Sequence, residues 1–365
     1  MTGGAVLSVL RGGVFDSGTD DLTDLRTLAN DIGSGSFDSR IGHRSLPDAV
    51  DHAAWRHLED AGLTRLDSAS DSGGGPVEAA VVLRALARHG VTVPVAETDL
   101  AGWLAQQAAV DIPGAGPLTL AIGDARIDGD RVTAMLSGVP YAAGAGAVVL
   151  GLRDGGRLLV AAAPPGELSV TEGHNAGGEP RDSVTVDLPA AMFTPVADCT
   201  DELVRRGAWA RCMQVMGALD AAVEFSVAHT RDREQFGRPL SAFQAVQHAL
   251  AGMAGEVERG RAAANLAVAA AAEHGFGSPQ ADYAVTAAKA TLGRVVPAVV
   301  TAAHQLHGAI GVTIEHRLWL ATMRARSWID EFGDTAHYAC RLGRMALATG
   351  DPWDLIVGNI THPVG

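Results

Sequence analysis

The run "RDREQFGRPLSAFQAVQHALAGMAGEVE", Arg231 to Glu258, opens with three arginines in eight residues, the acids Asp232 and Glu234, and a Phe-Gly break at 236–237. A helix start rich in Gln and Ala follows. Such polar variety stands out in a chain with 44 glycines and 47% apolar residues. On either side the apolar spacing is helical: "DELVRRGAWARCMQVMGALDAAVEFSVAHTRDR" precedes the break and "AFQAVQHALAGMAGEVERGRAAANLAVAAAAEHG" follows it. Two more runs come after, "SPQADYAVTAAKATLGRVVPAVVTAAHQLHG" and "EHRLWLATMRARSWIDEF". Runs of this length joined by short turns predict a bundle of long antiparallel helices.

Toward the N-terminus, Leu22 to about Ala109 is also helical by spacing, as in "AAWRHLEDAGLTRL" and "PVEAAVVLRALARHG". Between these two runs "DSASDSGGGP" reads as a loop, with Pro76 at a first helical position. At "DIPGAGPLTLAIGD" the character changes to short runs, "RVTAML", "AGAVVLGL", "RLLVAAA" and "DSVTVDL", broken by Gly, Asp and Pro at strand-like intervals. The expected organisation is an N-terminal helical domain (1–113), a middle β domain (114–196), a C-terminal helical bundle (197–349) and a tail (350–365). The fold class is mainly α with a small β domain.

Only 5% of residues are aromatic, so the interior must be built from Ala, Val and Leu, which suits closely approaching helices. A formal charge of −14 without any Lys/Arg run argues against nucleic acid as a partner. No GxGxxG follows a strand and no GxxxxGK[ST] occurs, which excludes Rossmann and P-loop readings. Cys199, Cys212 and Cys340 lack metal spacing and are too few for a disulfide framework; they read as buried structural thiols. His304, His307 and His316 have no carboxylate or cysteine at ligand spacing, so no metal is expected. The start "MTGGAVLSVLRGG" lacks a charged leader, and no run of eighteen apolar residues is free of charge; the expectation is a cytoplasmic protein with no membrane partner.

The domain order, joined to "RDREQFGRPLSAFQAVQHALAGMAGEVE" and "QLHGAIGVTIEHRLWLATMR", resembles the acyl-CoA dehydrogenase family along nearly the whole chain. That family's forms are R-x-x-F-G-x-x-L/I-x-x-x-Q between two long helices and Q-x-x-G-G-x-G-[FY] further on. The resemblance implies an N-terminal helical domain, a β-barrel-like middle domain and a C-terminal four-helix bundle. It also implies FAD as cofactor, an acyl-CoA thioester as substrate in lipid metabolism, and an electron-transfer flavoprotein or similar acceptor. Arg233 then stands at the pyrophosphate arginine, whose planar fork matches paired anionic oxygens, with Gln235, Phe236, Leu240 and Phe243 along the cofactor-facing turn. Gln305, Leu306, Gly308 and Ala309 match the second cofactor segment, usually contributed across a subunit interface. The implied state is a homodimer or a heteromer with a second acyl-CoA dehydrogenase-like subunit. Taken alone, Arg233 is a helix-end cation favoured by the dipole and Phe236 a core residue beside a break; Ala309 replaces the family's second glycine.

In the family a carboxylate removes the α-proton of the thioester while hydride leaves the β-carbon for the flavin. Counting from Gln305 to the usual base position reaches Phe332, in "WIDEFGDTAHY", which cannot take a proton; Glu331 beside it is the candidate base. Adjacent residues on a helix point about 100° apart, so the two do not substitute for each other in a helix. The family's other base position, thirty residues before the glycine of the first motif, falls on Gly207, with Glu202 five residues earlier. The flavin-facing Thr-Glu-x-x-x-Gly-Ser-Asp and Trp-[IV]-[ST] segments are also absent, the nearest text being "GDARIDGD" and "SGVPYAAGAGA". These departures resemble the shorter subunits of heteromeric actinobacterial acyl-CoA dehydrogenases. Three readings stand: an FAD-dependent dehydrogenase or a subunit of one, a catalytically silent partner that completes a flavin site, and the same fold used for other flavin chemistry.

Overall fold

The computed structural model describes residues 20–40, 48–68 and 74–357, the side chains at 20, 21 and 37–40 excepted. The N-terminal "MTGGAVLSVLRGG", residues 69–73 of the "DSASDSGGGP" loop and the last eight residues of the tail lie outside the described residues.

Four helices come first: α1 (Asp20–Arg40), α2 (His52–Asp60), α3 (Pro76–Arg88) and α4 (Val95–Gln107). Asp51 caps α2, its carboxylate accepting from the N–H groups of Ala53 and Ala54, and α3 starts at Pro76, where a missing N–H costs nothing. Eight strands follow: β1 (Leu118–Asp124), β2 (Arg126–Asp128), β3 (Arg131–Pro140), β4 (Ala147–Asp154), β5 (Arg157–Ala163), β6 (Ser169–Thr171), β7 (Arg181–Pro189) and β8 (Thr194–Ala197). They form two four-stranded sheets, ordered β1-β4-β5-β8 and β2-β3-β7-β6. All pairings are antiparallel except β1 with β4. The alternation in "RDSVTVDL" has its expected result: Val184, Val186 and Leu188, with Leu136 beside them on β3, share a core with Leu150 and Leu152 of the other sheet, while the intervening residues Ser183, Thr185 and Asp187 are exposed. The other face of the first sheet packs on α4 through Leu104, Leu118, Val149 and Leu158, with Leu203 from the next helix joining them.

The chain then runs through α5 (Thr200–Asp232), a two-residue-strand hairpin β9 (Glu234–Gln235) and β10 (Arg238–Pro239), α6 (Gln244–His274), α7 (Pro279–His307), α8 (Arg317–Asp330), α9 (Thr335–Ala348) and α10 (Pro352–Ile356). α5 to α8 form the bundle, and their shared core is largely alanine and valine, including Ala208, Ala218, Ala264, Ala267, Val295 and Val299. Small side chains let the helix axes approach, which is how a chain so poor in aromatics fills its centre. The helix from Pro279, extended to Val312, is long and apolar enough to cross a membrane by composition; here it carries the buried Lys289 and packs among α5, α6 and α9. α9 and α10 extend past the last helical run that the sequence marks. The thiols divide differently from the sequence expectation: Cys212 is buried, its thiol pushed up to about 12 by burial, but Cys199 is half-buried and Cys340 exposed on α9, because α9 turns only Tyr338 and Met345 fully inward.

Candidate active site and cofactor motifs

The turn after α8 carries the candidate base. Its carbonyls are gathered by Lys289 of α7, whose ammonium donates to Ile329 O and, at 2.8 Å, to Glu331 O. Burial lowers that lysine to about 8. The cation closes the C-terminal end of α8, where unpaired carbonyls and the helix dipole both favour positive charge. Phe332 then takes a left-handed φ of 56°, which separates its ring from the Glu331 carboxylate.

Glu331 is held from two domains. Its Oε1 accepts from Arg181 of β7 at 2.8 Å and its Oε2 from Arg211 of α5 at 2.7 Å. Arg211 also donates to Glu97 of α4 and to Gln214, both at 2.6 Å. Arg181 reaches Glu179 at 3.4 Å, and Glu179 accepts from the Tyr141 hydroxyl at 3.0 Å and lies 3.9 Å from Arg324. Arg324 of α8 in turn pairs with Asp48 at 3.0 Å and donates to Val91 O and Thr92 Oγ1. Three guanidiniums and four carboxylates thus run through the junction of all three domains, with side chains no more than 7% exposed except Glu331 at 22%. Burial alone would raise the Glu331 carboxyl, but the charges of Arg211 and Arg181 hold it down at about 2. Burial likewise opposes the charge on Glu179, and Arg324 and Arg181 overcome it, leaving this carboxyl below its ordinary range.

The two positions at which the family motifs place a base meet in space. A Cβ built on Gly207 would sit 2.4–2.6 Å from three atoms of the Phe332 ring, so the ring lies directly on the glycine of α5. The Arg211 guanidinium is 5.6 Å from the centre of the same ring. Glu202 points elsewhere, pairing with Arg206 at 2.9 Å. Arg206 also meets Asp67 at 2.6 Å and lies over Trp103 and Phe276. Of the text nearest the missing flavin segments, "SGVPYAAGAGA" supplies Tyr141, whose hydroxyl is spent on Glu179.

The two segments expected to meet a cofactor lie at the far ends of α5 and α7. Arg233 ends α5, its N–H donating to His229 O at 2.9 Å and its carbonyl accepting from Leu240 N–H at 2.9 Å, which folds the chain into the β9–β10 hairpin. Phe236 and Gly237 form the tip, both at positive φ (55° and 78°), as a two-residue hairpin turn requires. Phe236 is therefore not a core residue: its ring is 89% exposed, touching Phe243 edge-on at 6.1 Å, while the Arg238 guanidinium lies 4.0 Å over Phe243. Gln235 is exposed, and Leu240 and Phe243 are half-buried. Gln305 is exposed near the end of α7, Leu306 packs against the core, Gly308 turns the chain at φ 65°, and Ala309 is exposed. The side chains of Arg233 and Gln305 enter no hydrogen bond or ion pair within the described residues. Arg233 also borders a cleft of about 450 Å³ with His229, Asp232, Glu315, His316 and Arg317. Gln305 is not on that cleft. The two segments are joined through the His229 and His307 rings, stacked with centroids 4.4 Å apart. Among the described residues no group of three or more His, Cys, Asp or Glu side chains is placed to hold a metal.

Residues 200–331 match the family model described as the acyl-CoA dehydrogenase C-terminal domain. This stretch of the chain carries the acyl-CoA dehydrogenase C-terminal domain. It is 26% identical over 296 residues to the acyl-CoA dehydrogenase IpdE2 of Mycolicibacterium smegmatis, covering 79% of this chain and 86% of that one. It is 39% identical over 102 residues to the probable acyl-CoA dehydrogenase FadE25 of Mycobacterium tuberculosis, 28% of this chain and 25% of that one. The fold matches a chain of the ChsE4-ChsE5 complex of Mycobacterium tuberculosis with a TM-score of 0.79 at 24% identity, over 91% of this chain and 98% of that chain. Against the pattern expected from the resemblance, the chain keeps the arginine and glutamine segments and has the Phe332 ring packed on Gly207 where a carboxylate is expected. The buried ion chain escapes sequence reasoning, although Arg211 in "AWARCMQV" and Arg324 in "ATMRARSW" are charges set among apolar neighbours, which is the one local signal available.

Proposed function

We propose that this chain is the partner subunit of a heteromeric, FAD-dependent acyl-CoA dehydrogenase, and that it completes a flavin site on a second subunit while holding no α-proton base of its own. The observation that carries this reading is the Phe332 ring seated on Gly207. The two alternative positions at which a carboxylate base is expected are both occupied by groups that cannot accept a proton. Glu331, the nearest acid, serves as the anion between Arg181 and Arg211 and has too little basicity for the task.

FAD fits the chain in part. The diphosphate half suits Arg233, whose guanidinium has no carboxylate partner within the described residues and stands at a cleft; Gln305, also uncommitted, presents an amide from the other segment. The flavin-ring half does not suit the space beside residues 331–332, which the ion chain and Phe332 occupy. When bound, the flavin supplies hydride acceptance from the acyl β-carbon. This chain's residues bind and orient the diphosphate and, through the exposed Phe236 tip, engage the second subunit. The solved ChsE4-ChsE5 assembly, with this fold, is a pairing of two chains and supports the same arrangement. Electrons leave the assembly for an electron-transfer flavoprotein or similar acceptor.

The test is the visible spectrum of the purified chain, alone and co-expressed with a second acyl-CoA dehydrogenase-like chain. A flavin band in the pair and none in the chain alone is expected. Acyl-CoA turnover by the chain alone, abolished by Glu331→Gln, would overturn the reading.

A further inference from the structure

We propose that His229, His307 and His316 form a clamp that holds the Arg233 and Gln305 segments in register, and that protonation opens it, so this chain's half of the cofactor site loosens as pH falls. What the clamp serves rests on the function proposed above; the clamp itself is testable without cofactor.

His229 lies on α5 one turn before Arg233 and accepts its N–H at 2.9 Å. His307 ends α7, two residues after Gln305, and its ring stacks on His229 at 4.4 Å with planes 20° apart. His316 caps α8, its Nδ1 accepting from Leu318 N–H at 3.1 Å, and meets His307 edge-on at 5.2 Å. The end of α5, the end of α7 and the start of α8 therefore converge on one ring. Gly311 makes room for it, since a Cβ there would lie 2.7 Å from the Cβ of His307.

The geometry suits a neutral His307. The residue is 6% exposed; Nδ1 lies 2.8 Å from Ala303 O, to which it donates, and Nε2 has no partner among the described residues. A second proton would bury an N–H without an acceptor and set a cation against His229. Burial first, then the neighbouring rings of His229, His316 and His304, lower His307 to about 4, against the opposing pull of the Ala303 carbonyl. The surroundings add little relief. On α5 Arg233 opposes a charge on His229 and Asp232 favours one. Before and at the start of α8 stand Glu315 and Arg317, the latter opposing charge on His316. On α7 His304 is held 2.8 Å from Thr322 Oγ1 with Arg326 of α8 opposing its protonation.

Opening releases His307 to water, where an imidazole titrates near 6.5. Between pH 7.5 and 5.5 the opened form then gains about tenfold from the release of His307. Hydrogen exchange of the full chain, corrected for the pH dependence of intrinsic exchange, reads this directly. Peptides covering 229–240 and 304–316 should lose protection together, about tenfold, from pH 7.5 to 5.5, while the middle of α7 stays protected. His307→Phe, which keeps a stacking ring that cannot titrate, should hold both segments closed at both pH values. His307→Ala should loosen both at either pH. A wild-type response confined to one segment, or a response undiminished in His307→Phe, would overturn the clamp. In the assembled pair, His307→Phe should retain flavin at pH 5.5 better than wild type. If exchange is coupled as expected and flavin retention does not move, the clamp stands and its link to the cofactor is refuted.

Discussion

Substituting glutamine for Glu331 keeps the side chain's size and removes one charge from between two guanidiniums. Arg211 would retain Glu97 at 2.6 Å, and Arg181 would retain Glu179 at the longer 3.4 Å. Loss of one partner from a buried pair costs about 3–5 kcal/mol, and the surviving carboxylates place this case at the lower end. Linkage gives the same size: the carboxyl falls from 4.5 to about 2 on folding, which corresponds to about 3 kcal/mol. Because the folded value is the depressed one, this stabilisation is complete above about pH 4.5 and is lost as pH falls toward 2. Urea unfolding at pH 7 should therefore show Glu331→Gln destabilised by about 3 kcal/mol, with an unchanged slope in denaturant. The gap between wild type and variant should narrow below pH 4.5. A variant within about 0.5 kcal/mol of wild type would refute the structural role. A base poised for proton transfer could be neutralised without such a loss, so the stability of this one variant separates staple from catalyst.

Gly207→Ala should destabilise by about 1–3 kcal/mol through overpacking, because the new methyl lands on the Phe332 ring; adding Phe332→Ala should recover part of the loss, and simple additivity in the denaturation data would contradict the contact. Phe236→Asn should leave stability unchanged or raise it, since Asn tolerates positive φ and the ring is exposed, yet weaken association with the second subunit as read by sedimentation. An unchanged association constant would remove Phe236 from the interface. Cys340 should react with a thiol reagent in the native protein while Cys212 reacts only on unfolding; equal rates would contradict their placement.

The architecture was legible because its signals are local. The four long bundle runs carry helical spacing over many turns, and β7 announces itself by strict alternation from Arg181 to Leu188. α9 is shorter: "TAHYACRLGRMALA" has helical spacing at Tyr338, Leu342 and Met345 but contains a glycine and buries only Tyr338 and Met345. The two motif segments around Arg233 and Gln305 are recognisable by their spacing, but their mutual placement is not. The His229–His307 stack joins positions on different helices, and no rule of spacing connects them. The same holds for the ion chain, whose members at 48, 97, 179, 181, 211, 324 and 331 are far apart in the sequence and meet only once folded. For Glu331 the sequence shows its neighbour Phe332 and hides its partners Arg181 and Arg211.

The flavin content of the co-purified pair, with Arg233→Lys introduced in this chain alone, bears most directly on whether the chain lends its arginine to another subunit's cofactor. An ammonium keeps the charge but not the paired fork, so the wild-type pair should hold flavin and the variant pair, still assembled, should lose most of it. Flavin retained undiminished by the variant pair, or bound in full by this chain without a partner, would contradict the account.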